Sequence, residues 1–382
     1  MRNQTTGVRG DKTYNALRNS LNDTANDLLL LVNGPKIQAR KDVCKIHDLA
    51  AFQVAFHLDF FNTIPEAGSM HLRDIAQKTG CDINRAGRIL RLLTTHRIFR
   101  EVERDIFAHT SYSVALARDP ELKAAGDYQL DEVSKAASEC SLSFQTGAKT
   151  PFEQRHGMTV YDYYAANPAM AARFAKGLVG ITRLDRQMTE LITGYPWAEI
   201  GDAKVVDIGA GNGHVSVELA RRFPNLNMVV QDNNLDILNQ GATRDLTGVE
   251  GRMAFMEYDF FTPQPVTDAD VYFCRQVLHN WDDASCVKLL RSAATALEKC
   301  RPGTPLLINE TVQPEPGTRT RFEENLIRQN DMLLLVAFGA KQRTEEDYRA
   351  LLEQADPRFK IVKVCSEGSM GLLEVHLQTN TA

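Results

Sequence analysis

The segment Lys204 to Ala220 reads KVVDIGAGNGHVSVELA. It opens with the apolar run Val205-Val206 and passes through Asp207-Ile208, the pattern of a short buried strand. Glycines follow at 209, 211 and 213. From Val215 the spacing turns helical, with Val215, Leu219 and Phe223 four residues apart. Strand, glycine turn and helix in this order make a ligand cradle. Glycine lets the backbone turn tightly against a ligand, and the helix start offers free N–H groups. The spacing is G-x-G-x-G, with no Gly-Lys-Ser/Thr after it, which argues against a P-loop and weakly against a dinucleotide. A second strand, Met228-Val229-Val230, ends at Gln231-Asp232, where a carboxylate is placed to accept from a ribose diol. A third, Ala254 to Tyr258, ends at Asp259-Phe260-Phe261, an acid for an exocyclic amine and an aromatic ring to cover a base.

DIGAGNGH, the acid Asp232 and then Asp259-Phe260-Phe261 resemble the S-adenosylmethionine site of class I methyltransferases. The resemblance implies that Gly209, Gly211, Gly213, Asp232, Asn233, Asp259 and Phe260 hold that cofactor. A generic Rossmann-like turn for another nucleotide is the alternative.

The chain has 382 residues, room for two domains, with 43% apolar and 24% charged residues. A net charge of −5 argues against nucleic acid as the main partner, because phosphate binding needs a basic face. No run approaches the ~18 apolar residues of a membrane span. The polar start, MRNQTTGVRGDKTYN, is no secretory signal, so a cytoplasmic protein is expected, without a membrane partner. The seven cysteines are odd in number and scattered, without a C-x-x-C pair. They read as reduced thiols, neither a disulfide frame nor a metal site.

Residues 1–12 read as a loose tail and Thr13 to Val32 as a helix, stopped by Asn33-Gly34-Pro35. Val43 to Phe61 is apolar nearly all round, a helix to be buried against a core or a second subunit. Leu72 to Lys78 and Asn84 to His96 then predict two helices, with Asp82 as a cap, followed by strands over 99–102 and 106–109. This is a winged helix-turn-helix. Arg85, Arg88, Arg91 and Arg97 suit a DNA-binding regulator. The other reading is the winged-helix dimerisation domain of plant and fungal O-methyltransferases, which the chain resembles from about residue 40 to 378 and which implies a homodimer. Further helices are expected over 112–118 and 131–143. Residues 151–178, PFEQRHGMTVYDYYAANPAMAARFAKGL, are similar to the family's linker, which lines a small-molecule substrate pocket. That resemblance makes His156 and Phe174 substrate candidates, while the tyrosines at 161, 163 and 164 read mainly as packing.

From about 185 onward, strands are expected at 204–208, 227–231, 254–258, 270–274, 305–310, 360–364 and 371–377, with helices at 214–223, 235–241, 283–299 and 344–354. This predicts an α/β fold, a doubly wound Rossmann-like domain. The resemblance implies that the last strands run antiparallel. The expected division is a helical and winged-helix domain over 1–118, a helical linker over 119–184 and a cofactor-binding catalytic domain over 185–382.

Beyond the fourth strand stands Arg275-Gln276-Val277-Leu278-His279-Asn280-Trp281. Ligands of open parallel sheets sit beyond the carboxyl ends of the strands, so His279 falls near the cofactor. L-H-x-W resembles the signature of small-molecule O-methyltransferases, in which this histidine is the general base, and the resemblance gives Arg275 a share in holding the cofactor. The chemistry fits. A phenol titrates near ~10 and imidazole near ~6.5, so a histidine can take the hydroxyl proton at neutral pH. The fifth strand ends at Glu310, matching the family's acid beside the base. Relatives carry a second acid where Gly339-Ala340-Lys341-Gln342-Arg343-Thr344 has Gln342. An amide can hydrogen-bond an imidazole but cannot stabilise its cation by charge. Gln342 therefore leaves a second reading open, an O-methyltransferase-like pericyclase that cyclises a polyketide without methyl transfer, with His156, Asp331, Lys341 and Gln342 as its groups. In either case Asn330 and Asp331, on the helix of segment 321–344, and Lys341 are candidate substrate contacts. The leading expectation is O-methylation of an aromatic or polyketide-type secondary metabolite.

Overall fold

The computed structural model describes residues 12–145, 149–185, 188–366 and 368–378. The tail expected over 1–12 lies almost wholly outside them. The chain divides into two compact units, residues 1–184 and 185–382.

The first unit opens with helix α1 (Lys12–His57), followed by α2 (Phe60–Thr63). The stop expected at Gly34-Pro35 is present as a break within this span, where two helical segments meet at a kink. Gly34 turns the chain at φ +67°, and Pro35, with φ already helical and no N–H to satisfy, restarts the helix. Strand β1 (Met70–His71), helices α3 (Leu72–Thr79) and α4 (Ile83–Thr95) and strands β2 (Phe99–Glu103) and β3 (Ile106–His109) form the winged helix, with strand order β1-β3-β2. Asp82 caps α4, accepting from the Arg85 N–H at 2.9 Å. The core gathers Phe56, Phe60, Phe61, Ile75, Leu90, Phe99 and Phe107. Only the end of α1 joins it. Of the stretch expected to be buried over Val43 to Phe61, Ala51, Ala55, Phe56, Phe60 and Phe61 are in the core, while Val43, Ile46 and Leu49 are exposed, as are Leu17 and Leu31 earlier in α1. Arg91, a candidate for DNA, is engaged by Glu101 at 2.8 Å and Asp105 at 2.6 Å.

Next come α5 (Ser111–Arg118) and α6 (Pro120–Tyr128). The single helix expected over 131–143 is broken into a π-turn (Gln129–Val133), α7 (Ser134–Ala137) and α8 (Cys140–Ser143). The π-turn carries Glu132, buried and paired with Arg173 at 2.6 Å. Helices α9 (Pro151–His156), α10 (Val160–Ala166) and α11 (Pro168–Asp185) follow.

The second unit begins with α12 (Thr189–Gly194) and builds a seven-stranded sheet. Its elements are β4 (Ala203–Ile208), α13 (His214–Arg222), β5 (Leu226–Asp232), α14 (Leu235–Ala242), β6 (Met253–Glu257), β7 (Val271–Arg275), α15 (Asp283–Leu297) and β8 (Pro305–Glu310). They continue with β9 (Val312–Gln313), α16 (Arg321–Phe338), β10 (Arg343–Thr344), α17 (Glu345–Ala355), β11 (Phe359–Cys365) and β12 (Gly371–Leu377). The sheet order is β11-β12-β8-β7-β4-β5-β6. All pairings among β4 to β8 are parallel, while β12 runs antiparallel to both β8 and β11. This is the Rossmann-like α/β domain expected. Its central strands are covered on both faces, which is why β4, β7 and β8 read as near-continuous apolar runs. No described helix is long and apolar enough to cross a membrane.

Register positions the site. Ile208 lies level with Gln231 and Cys274, and Cys274 with Ile308. The next residues along these four strands are Gly209, Asp232, Arg275 and Asn309, one row along the carboxyl edge of the sheet.

Candidate active site

Gly209, Gly211 and Gly213 all have positive φ, +70°, +58° and +68°. Two of them are also confined by close packing. A Cβ on Gly209 would lie 2.7 Å from Val277 Cγ2, and one on Gly213 2.9 Å from Val230 Cγ1. At Gly211 the nearest atom would be 4.0 Å away, so its backbone borders open space. Asp232 is locked against this turn. One carboxylate oxygen accepts from the Gly211 N–H at 2.9 Å and the other from the Asn234 N–H at 3.0 Å. Each oxygen keeps a lone pair for a further donor. Asp259 accepts from the Phe261 N–H at 2.9 Å and is otherwise exposed. Phe260 stands beside Gly209 and meets Trp281 edge-on, with centroids 5.8 Å apart. Asn233 is exposed at the same edge. The Arg275 guanidinium donates to the Asn309 side chain.

Below the glycine turn, Asp207 is buried and accepts from the Ser216 hydroxyl at 2.5 Å. Burial pushes its carboxyl up to about 7. The sequence reading passed over this pair. An acid inside an apolar strand followed nine residues later by a helical serine was the available signal.

The second half of the edge holds the histidine. A 3-10 turn (Leu278–Asn280) follows β7 and buries His279. Its Nδ1 lies 2.6 Å from Glu310 Oε2. Glu310 is fully buried, and its Oε1 accepts from the backbone N–H groups of Val277 and Leu278, both at 2.8 Å. Gln276 Nε2 adds a longer bond, 3.3 Å, to Oε2. Burial alone would raise the Glu310 carboxyl. The charge and hydrogen bond of His279 and the backbone donors outweigh it, and the group is held below its ordinary range. Because Nδ1 faces a carboxylate, it carries the proton, and Nε2 presents a lone pair. No hydrogen bond reaches Nε2 among the described residues. The arrangement is an oriented general base.

Arg343, fully buried, braces this turn. It donates to the carbonyls of Leu278 at 2.7 Å and Trp281 at 2.9 Å and pairs with Asp283 at 2.7 Å. Nothing in the sequence marked it beyond its place after Gln342.

Other expected contacts fall differently. Gln342 is buried, and its side-chain amide makes no hydrogen bond among the described residues. Asp331 accepts the Gln342 backbone N–H at 2.7 Å, a loop-fixing role. Asn330 is half-buried on α16. Lys341 is turned to a half-exposed ion pair with Asp283 at 3.0 Å, because that carboxylate offers charge compensation without burial. In the first unit, His156 sits between Phe152 and Tyr163, with centroids 4.3 and 4.9 Å away, and burial lowers its basicity. Phe174 stacks on Tyr164 at 4.7 Å.

A family model described as an O-methyltransferase domain matches residues 139–357. The chain belongs to the O-methyltransferase family. A second model, the O-methyltransferase dimerisation domain, matches residues 44–119. The O-methyltransferase sol2 of Alternaria solani is 46% identical over 370 residues, 95% of this chain and 86% of that protein. The grayanic acid biosynthesis cluster O-methyltransferase of Cladonia grayi is 30% identical, over 90% of this chain and 78% of that one. The crystal structure of OxaC in complex with SAH and oxaline is similar over 94% of this chain and 92% of that chain, at 26% identity and a TM-score of 0.79. This O-methyltransferase is accordingly an enzyme dependent on S-adenosylmethionine, and its winged helix falls within the dimerisation domain.

Proposed function

We propose that His279 is the general base and Glu310 its orienting carboxylate in O-methylation of an aromatic or polyketide-type secondary metabolite. The observation that carries this reading is the 2.6 Å bond from His279 Nδ1 to Glu310, which leaves Nε2 as the proton acceptor. Proton removal from the acceptor hydroxyl by Nε2 makes the oxygen a nucleophile. The imidazolium that results is stabilised by the buried Glu310 carboxylate, and the fixed turn holds both groups aligned. When bound, S-adenosylmethionine supplies a methyl carbon on a positively charged sulfur. The metabolite class is supported by the relatives, one named for a biosynthesis cluster and one holding oxaline.

The residues assigned to the cofactor are Gly209, Gly211, Gly213, Asp232, Asn233, Asp259, Phe260 and Arg275. The site fits that group: the backbone at Gly211 borders open space that a side chain would fill, and the Asp232 oxygens each keep a lone pair suited to a ribose hydroxyl. Asp232→Ala is expected to weaken S-adenosylmethionine binding about a hundredfold by calorimetry, since two hydrogen bonds to a charged group are lost. Unchanged affinity removes the assignment. The working form is proposed to be a homodimer in which the exposed apolar residues of α1 are covered by the second copy.

The function itself is tested by product mass. The protein is given S-adenosylmethionine and an extract of phenolic and polyketide precursors. A product heavier by one methylene, with S-adenosylhomocysteine formed in step, is expected. A product of unchanged mass, or lighter by one water, with the cofactor intact, means cyclisation and overturns the reading.

A further inference from the structure

His279 stands on a turn too short to hold itself. Leu278–Asn280 is a single 3-10 turn, with backbone bonds from the Asn280 N–H to Val277 at 3.1 Å and from the Trp281 N–H to Leu278 at 3.2 Å. The residue leading into it, Gln276, has φ +56°, in the left-handed region that favours glycine. Strained backbone persists only where its surroundings over-determine it. What fixes this turn therefore lies outside it.

Two buried charges of opposite sign fix it, one at each end. Glu310 takes the N–H end, accepting from Val277 and Leu278. Arg343 takes the carbonyl end. Its Nη1 donates to the Leu278 carbonyl at 2.7 Å and its Nη2 to the Trp281 carbonyl at 2.9 Å, the two carbonyls that bracket His279 and Asn280. The Cys286 thiol adds a longer bond, 3.3 Å, to the Leu278 carbonyl. A carboxylate at the N–H end and a cation at the carbonyl end complement the dipole of the turn, as charges do at the ends of a longer helix. Arg343 is fully buried, and a buried guanidinium is costly unless it is paired. Its pair is Asp283, whose Oδ1 accepts from Nε at 3.1 Å and from Nη2 at 2.7 Å, while Lys341 holds Oδ2 at 3.0 Å. The backbone of Arg343 is fixed as well. It lies on β10, level with Val312 on β9, two residues beyond Glu310. One run of backbone thus sets the places of both charges.

From this, and resting on the reading of His279 as the base, we infer that Arg343 is a positioning residue for methyl transfer. It holds the His279 turn against Glu310 and so keeps Nε2 aimed at the acceptor hydroxyl. The planar fork of arginine meets the two carbonyls with separate nitrogens and still faces Asp283, whereas lysine carries the same charge on one nitrogen.

The first test reads the full-length protein without an acceptor. The proton on His279 Nδ1, held in a 2.6 Å bond to Glu310, gives a downfield proton NMR signal that is identified by its loss in His279→Ala. Trp197 is the control, since its buried indole N–H bonds the Leu191 carbonyl at 2.7 Å in a different core cluster. In Arg343→Lys the Nδ1 proton is expected to exchange with solvent at least about tenfold faster, with the Trp197 proton within about twofold, because the turn opens and the fold does not. S-adenosylhomocysteine formation from S-adenosylmethionine and the precursor extract is expected to slow by about ten- to a hundredfold, the scale of a misplaced reacting group. Affinity for S-adenosylmethionine by calorimetry is expected to stay within about twofold. Asp283→Ala removes the half-exposed anchor of Arg343 and is expected to show the same pattern at about threefold, which decides the matter where Arg343→Lys does not fold. Equal acceleration of both protons makes Arg343 a support of the fold at large and overturns the inference. Methyl transfer at the wild-type rate in folded Arg343→Lys, or in Asp283→Ala, overturns it too, and both results leave His279 standing as the base. Turnover retained in His279→Ala is the distinct result that removes the base, and the inference falls with it.

Discussion

His279→Ala is expected to lower the rate of methyl transfer by about 10²–10⁴-fold, the range for loss of a positioned general base. Two effects act in the same direction. Nε2, the proton acceptor, is removed. Glu310, fully buried and held in its ionised form by the imidazole, loses that partner and turns an uncompensated negative charge toward the acceptor oxygen. The second effect keeps the loss large even for an acceptor that ionises easily. S-adenosylmethionine affinity is expected to stay within about twofold by calorimetry, because a group acting only on the acceptor contributes nothing to cofactor binding. The proposed cofactor contacts lie at the glycine turn and Asp232, and neither carries a hydrogen bond to His279. Turnover retained in this variant means that proton removal occurs elsewhere. Affinity lost along with turnover means that the histidine supports the cofactor cradle instead.

Much of this arrangement was legible in the sequence, for a physical reason. Parallel strands buried on both faces must be apolar throughout, so β4, β5, β7 and β8 announce themselves, and the residues just past their ends fall along one edge of the sheet. Asp232 and His279 are placed in that way, and Arg275 and Glu310 were singled out by the family resemblance; all four lie at or just beyond the carboxyl ends of these strands. The winged helix was equally readable, since Asp82 before an apolar-periodic run is a cap signal. Other features left no such trace. The donors that fix Glu310 are the backbone N–H groups of Val277 and Leu278, and every residue but proline carries one. Arg343 reads as a surface cation until the carbonyls of Leu278 and Trp281 close on it. The stretch over 131–143 reads as one helix because its apolar spacing is helical. The buried Glu132–Arg173 pair, 41 residues apart in the chain, joins the π-turn to α11 and is invisible to any local window. Gly34-Pro35 was legible as a break, because the glycine leaves the helical conformation there; that a second helical segment starts at once follows from proline suiting a helix's first turn.

Glu310→Gln is expected to keep the fold and to lose activity by about 10⁴-fold, the scale on which a base held in the wrong tautomer fails. The argument is a matter of donors and acceptors. In the wild-type protein, Oε1 accepts from two backbone N–H groups and Oε2 receives His279 Nδ1–H. The amide of glutamine can place its oxygen only once. Set against Val277 and Leu278, it keeps both backbone bonds, and its NH₂ then faces Nδ1. The imidazole must answer as an acceptor there, which moves its proton to Nε2 and removes the lone pair that takes the acceptor's proton. Gln276 Nε2, 3.3 Å from Oε2, then meets a donor as well and must turn aside. Glu310→Ala differs. It leaves both backbone donors and the imidazole without a partner, and a stability loss of about 3–5 kcal/mol is expected from breaking a buried pair. The pH dependence has a definite sign. The folded-state carboxyl titrates below its unfolded value, so its contribution to stability is present above that unfolded value, 4.5, and is lost as the pH falls through the folded value. The gap in melting temperature between wild type and Glu310→Gln should therefore be widest near neutrality and close progressively below about pH 4.5. A gap that is flat with pH would show that Glu310 is not ionised against His279. Full turnover in Glu310→Gln would show that the tautomer of His279 does not govern the reaction.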